Sequence, residues 1–185
     1  MKLFERSFSI SPEQYELQVR TWLESAAGTL SEFSATHREA LTGMDGEYEI
    51  DVAVRFQAMG VPFLVLVECK RYRKPVEREV VQVLYDRMRS IGAQKGILFS
   101  TSKFQSGALE YATRHGIALI QLVDGNALIM GRSSEPLPGD PFFPGRPDYF
   151  GMLNSLSTDG KRTFSSIDSD DFTTLKGVLN IGATT

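Results

Sequence analysis

The 185-residue sequence contains a single cysteine, Cys69, so no internal disulfide can form and no cysteine-based zinc cluster can be built. That usage suits a reducing cytoplasm. Histidine is almost as scarce. His37 is isolated and His115 sits at the end of an expected helix, where its charge favours the dipole, so neither has the spacing of a histidine-metal nuclease or a triad hydrolase. Glycine-rich phosphate loops are absent, which leaves nucleotide hydrolysis without support. The opening MKLFERSFSISPEQY carries acids and no apolar signal core, and no apolar run reaches membrane-spanning length. The expectation is a soluble, cytoplasmic protein with no membrane partner. A formal net charge of −3 removes one further class, proteins that hold nucleic acid by bulk positive charge. Any phosphate contact must be local.

What remains is ordinary globular material, with 42% hydrophobic and 23% charged residues, enough for one sizeable core. The expected division is a domain over 1–130 and a Pro/Gly-rich C-terminal extension over 131–185 that packs on the domain or binds a partner. Five of the eight prolines fall in that extension, and its later apolar cluster, Phe172, Leu175, Val178 and Leu179, suits a late helix or a partner-binding segment.

Ser11-Pro12-Glu13-Gln14 is a helix start, with Ser11 as cap, Pro12 in the first turn and Gln14 completing a capping box. Tyr15, Val19, Trp22, Leu23 and Ala26 give the 3.6-residue stripe, and Gly28 the stop. Glu16 and Glu24 lie off that stripe and read as solvated. Leu30 to Leu41 is expected as a strand, and Gly43 to Gly46 as a turn. Further on, Pro75 is expected to open a helix whose packing face is Val76, Val80, Val83, Leu84, Met88 and Ile91, closed by Gly92. Lys95 to Ser100 is a short buried strand. Ser102 to Gln105 repeats the capping-box pattern before a third helix, and Ile117 to Val123 is a last buried strand. The order αβββαβαβ, with strands joined through helices, implies an α/β fold: a mixed β-sheet flanked by helices on both faces.

The densest chemistry lies between Glu47 and Lys74. Two apolar, β-branched segments flank Ala58-Met59-Gly60-Val61, which reads as an antiparallel hairpin. Placing Ala58 opposite Val61 puts Asp51 opposite Glu68, while Lys70 shares the face of Glu68 and Cys69 points away into the core. Charge arriving at the end of a buried strand is the informative departure, because a lone buried carboxylate is costly. Two carboxylates about 5 Å apart can share a divalent cation such as Mg²⁺, with Mn²⁺ as substitute and the Cys69 carbonyl as a third ligand. Lys70 could orient or help deprotonate a water and stabilise charge on a phosphate. That assembly suits phosphodiester hydrolysis. From the residues alone, a cross-strand salt-bridge cluster accounts for the same three side chains equally well. Arg78, Gln82, Tyr85 and Arg89 form a polar stripe on the following helix, with Gln82 best placed to reach the site. Arg71, Arg73 and Lys74, extended by Arg78, form the dense basic cluster that would position a phosphodiester backbone without reading sequence.

EIDVAVRF, VLVECKRYRKPV and GILFSTSKFQSGALEYATRHGIALI together resemble the Mrr-type restriction endonuclease domain of the PD-(D/E)xK nuclease superfamily, over roughly Pro12 to Gly125. The resemblance implies a restriction-endonuclease-like fold, a Mg²⁺-dependent endonuclease acting on DNA in restriction or defence, and Asp51, Glu68 and Lys70 as its motif residues. It further implies that Glu16 approaches the metal and that Gln82 faces the site. Two departures stand out: Ile50 rather than proline precedes Asp51, and Gly46-Glu47-Tyr48-Glu49 replaces a glycine-rich approach. Other readings stay open at this point: a non-catalytic nucleic-acid-binding or assembly module, a nuclease subunit of a larger complex, and a homodimer or partner protein engaged through the extension.

Overall fold

A computed structural model describes residues 10–27, 30–124, 149–157 and 159–167. Its elements run α1 (Pro12–Ala27), β1 (Ser31–Thr42), β2 (Glu47–Ala58), β3 (Val61–Lys70), α2 (Arg78–Ile91), β4 (Lys95–Ser100), α3 (Ser106–Arg114), β5 (Ala118–Asp124), β6 (Tyr149–Leu156) and β7 (Arg162–Ile167). The strands form one seven-stranded sheet in sequence order. β1, β2 and β3 meander antiparallel, β3, β4 and β5 are parallel through α2 and α3, and β6 and β7 return antiparallel. This is the mixed, helix-flanked α/β sheet expected, lengthened by two strands that the sequence reading left unassigned. Their residues lie in the segment read as extension. The expected late helix falls outside the described residues, as does Gly28.

Two cores sandwich the sheet. On one face, Tyr15, Val19, Trp22 and Leu23 of α1 pack on Val52, Val54, Val65, Val67, Phe99 and Ile120. On the other, Val81, Leu84 and Met88 of α2 and Ala108, Leu109 and Ala112 of α3 cover Ile50, Leu66, Leu98 and Leu119. The capping box forms as the sequence predicts: the Ser11 N–H donates to Gln14 Oε1 at 2.7 Å and the Gln14 N–H to Ser11 Oγ at 3.1 Å.

Both later helices begin further on than expected, for one shared reason. Val76 and Phe104 form a parallel bridge, with the Val76 N–H donating to the Lys103 carbonyl and the Gln105 N–H to the Val76 carbonyl. These residues are therefore extended, and α2 and α3 start only at Arg78 and Ser106. Ser102 makes no capping box; its N–H donates to Ser100 Oγ instead. The packing face of α2 is the expected one, with Val80, Leu84, Met88 and Ile91 in or against the core, except that Val81 is buried and Val83 is 52% exposed.

At the hairpin turn, Met59 and Gly60 have φ of 52° and 76°, the left-handed pair that a two-residue turn between right-twisted strands demands. The register is as predicted, Ala58 opposite Val61 and onward to Val52 opposite Val67. At Asp51 something else happens. Ile50 belongs to the α2 side and Val52 to the α1 side, although residues two apart in a strand normally share a face. β2 turns over across Asp51, and the neighbouring Arg38 of β1 takes a φ of 50°.

Candidate active site at the open end of the hairpin

The ladder between β2 and β3 stops at Val52 and Val67, and the Asp51 side chain takes over. Its Oδ2 accepts the Cys69 N–H at 2.6 Å, a charge-assisted bond that pins the carboxylate between the strands. Glu68, only 3% exposed, sits beside it. Burial on this scale demands counter-charge. Lys70 Nζ donates to Glu68 Oε2 at 2.7 Å, and the Arg87 guanidinium of α2 donates to Oε1. Asp51, Glu68 and Lys70 are thus brought together by the end of one hairpin.

Their electrostatics differ. Burial, then the charge of Glu68, push the Asp51 carboxyl above its ordinary value, only partly offset by the Cys69 N–H and Lys70. For Lys70, burial alone would lower the ammonium, but the charge and hydrogen bond of Glu68 overcome it and raise it, so Lys70 is held charged. The Cys69 thiol is pushed well up by burial, packs against the α1-side core, and is no nucleophile.

Glu16 is a correction to the solvated reading. It is 8% exposed and faces the sheet, where His37 Nε2 meets its Oε2 at 2.7 Å and Arg38 Nε donates to the same oxygen at 3.0 Å. His37, read as isolated, is therefore paired. The left-handed backbone of Arg38 lets consecutive residues both reach Glu16. Glu16 also contributes to the raised Asp51 carboxyl, so α1 brings a third acid within electrostatic range. Glu24 is surface, paired with Arg20 at 3.0 Å. Gln82 is half-buried on α2 and, among the described residues, makes no hydrogen bond to the triad. The helix reaches the site through Arg87, which the sequence reading missed. The available signal was the buried carboxylate's need for a cation flanking the true packing face of Val81, Leu84 and Met88.

Arg71, Arg73, Lys74 and Arg78 are all exposed directly after β3. Arg71, Arg73 and Lys74 line a cleft of about 390 Å³ with Tyr72, Pro75, Glu77, Glu79 and Val80. Arg78 stacks over the Tyr111 ring at 5.1 Å.

Among the described residues, no three His, Cys, Asp or Glu side chains form a metal cage by themselves. The donor set nonetheless fits a hard divalent cation of the Mg²⁺ type, which takes one or two carboxylates and completes its shell with carbonyl, water and phosphate oxygens. A cation between the two carboxylates would offset both the burial of Asp51 and the charge of Glu68, which together disfavour its ionisation.

A family model described as Restriction endonuclease, that of the Mrr catalytic domain, matches residues 9–130. The chain belongs to the Mrr-type restriction endonuclease family. The match covers α1 through β5, and with them every element that contributes to the hairpin site. Within the family, the chain is 27% identical over 130 residues to the Type IV methyl-directed restriction enzyme EcoKMrr of Escherichia coli strain K12. That alignment takes in 69% of this chain and 40% of the relative, so the chain spans about two-fifths of the relative's length. Among solved structures, a protein of unknown function, AF1548, aligns at 26% identity over 58% of this chain and 55% of its own, with a TM-score of 0.47. The DNA modification-dependent restriction endonuclease AspBHI aligns at 21% identity over 64% of this chain and 36% of its own, with a TM-score of 0.35. No described helix is long and apolar enough to cross a membrane.

Proposed function

We propose that this chain is a divalent-cation-dependent DNA endonuclease domain acting in restriction or defence, with Asp51 and Glu68 as cation ligands and Lys70 as the catalytic amine. The observation that carries the reading is the Asp51–Glu68 pair, a half-buried and a buried carboxylate held on the adjacent strands β2 and β3 although the charge of Glu68 opposes ionisation of Asp51. A purely structural ion pair would not need the second acid. The main-chain carbonyl of Cys69 and, through α1, Glu16 are the further candidate ligands. A divalent cation bound there would polarise a scissile phosphate and lower the pKa of a nearby water.

The chain's own groups do the rest. Asp51 is fixed at Oδ2 by the Cys69 N–H, which leaves Oδ1 for a cation and little side-chain freedom to lose on binding it. Lys70, held as an ammonium, orients the attacking water and stabilises negative charge developing on the phosphate. Arg71, Arg73, Lys74 and Arg78 leave the site on its exposed side and track the DNA backbone without reading sequence.

Purified protein incubated with supercoiled plasmid should nick it in Mg²⁺ or Mn²⁺ and not in EDTA, and Asp51→Ala and Glu68→Ala should abolish cleavage while keeping the wild-type circular dichroism. Equal cleavage by folded variants and wild type would remove the mechanism. Inactivity of wild type together with retained DNA binding would favour a non-catalytic module.

A further inference from the structure

Glu68 has both oxygens occupied, but by cations of different origin. Lys70 lies two residues along the same strand and arrives with it. Arg87 comes from α2 on the covering layer, so its bond to Oε1 ties the site to an element that the hairpin does not control. The guanidinium is itself braced, lying over the Tyr48 ring at 5.8 Å from its centroid. Tyr48 in turn is anchored, its hydroxyl donating to Asp45 Oδ1 at 2.9 Å. Asp45 also accepts the Ser90 hydroxyl, and the Met44 N–H donates to Ser90 Oγ and to the Ser90 carbonyl, each at 3.0 Å. Ser90 stands one turn beyond Arg87 on α2. The circuit closes: the β1–β2 turn, α2 and the end of β3 fix one another, and Arg87 is the member that touches the carboxylate.

We propose that Arg87 is a positioning residue: held between the Tyr48 ring and Glu68 Oε1, it fixes the Glu68 carboxylate so that Oε2, which also accepts from Lys70, is presented to a divalent cation. This rests on the reading of Asp51 and Glu68 as the cation's ligands. Guanidinium suits the task because it never loses its proton and its rigid plane, lying over the Tyr48 ring while one nitrogen donates to Oε1, fixes the direction of that bond, which a flexible ammonium does not. Outer groups that orient ligating carboxylates typically contribute about 10- to 100-fold to metal affinity.

Calorimetric titration of the full chain with Mn²⁺, without DNA, tests this. Arg87→Ala should bind Mn²⁺ about 10- to 100-fold more weakly than wild type, and Arg87→Lys should fall between them, because it keeps the charge but not the rigid plane over the Tyr48 ring. Cleavage by Arg87→Ala should recover as Mn²⁺ is raised. A merely structural role would instead lower activity at every Mn²⁺ concentration and leave the affinity of the folded fraction unchanged. Wild-type affinity, or tighter binding, in folded Arg87→Ala overturns the proposal. If that variant does not fold, Arg87→Lys decides, and wild-type affinity there overturns it equally. Mn²⁺ binding that Glu68→Ala leaves intact overturns the ligand assignment itself, a result separable from failure at Arg87.

Discussion

The two ends of the β2–β3 hairpin are built from the same strands and follow different rules. At the closed end the ladder is complete, Ala58 faces Val61, and Met59 projects into solvent at 98% exposure. At the open end the ladder gives out after Val52 and Val67, β2 turns over, and three ionisable side chains gather where main-chain pairing would otherwise continue. One end satisfies its polar groups locally by turn geometry. The other satisfies them only through side chains and a helix brought from elsewhere. Local satisfaction makes a stable, replaceable turn, whereas borrowed satisfaction leaves charged groups that a substrate or ion can engage.

Substitution at each end should separate the two. The largest effect is expected at the open end, where Lys70→Ala should lower plasmid cleavage about 100- to 1000-fold, as removal of a single preorganised donor does elsewhere. Met59→Ala, measured in parallel, should leave the rate unchanged. Comparable losses from both would mean that the hairpin acts only as a scaffold. Next comes the clamp between α2 and the β1–β2 turn. A Cβ at Gly43 would run into the buried Ser90 hydroxyl and approach the Tyr48 ring at 3.0 Å, so Gly43→Ala should cost about 1–3 kcal/mol in denaturant unfolding. A melt identical to wild type would show that the turn can move away from α2 freely.

The smallest effect has the opposite sign. The folded state raises the Asp51 carboxyl, by burial first and by Glu68 second, so ionising it disfavours the fold. Below the ordinary value near 3.8 the carboxyl is protonated folded or unfolded and costs nothing; as pH rises past that value and through the raised folded one, stability is lost. In EDTA at neutral pH, Asp51→Asn should therefore melt higher than wild type, since an amide oxygen can still accept the Cys69 N–H without the charge. The gain should shrink as pH falls toward 4. A lower melting temperature at neutral pH would show that the carboxylate is compensated in a way the hairpin geometry does not provide.

Much of the sheet was legible because its signals are local. The Ser11–Gln14 box, the α1 stripe and the hairpin register each depend on residues within a few positions of one another, and each holds. The start of α2 was misplaced because Val76 pairs with Phe104, a contact across 28 positions that no periodicity in either segment reveals. Of the expected packing face only Val83 is exposed, with Val81 buried in addition, while Val76, Val80, Leu84, Met88 and Ile91 lie in or against the core. β6 was invisible for a related reason. Its partner is β5, across the proline-rich segment, and YFGMLNSL has neither the alternation nor the β-branched content of a strand that stands alone.

Around the site the division is the same. Sequence by itself determined that Glu68 and Lys70 share a face and that the hairpin register brings Asp51 to the same end, because a turn and a two-residue period suffice to align two adjacent strands as far as Val52 and Val67. Tertiary structure alone decided what surrounds them: that Glu16 faces inward against His37 and Arg38, that Glu68 is answered by Arg87 and not by Gln82, and that β2 turns over at Asp51. The physical reason is that a buried charge must find its counter-charge wherever packing brings one, and packing is set by how whole layers close on one another.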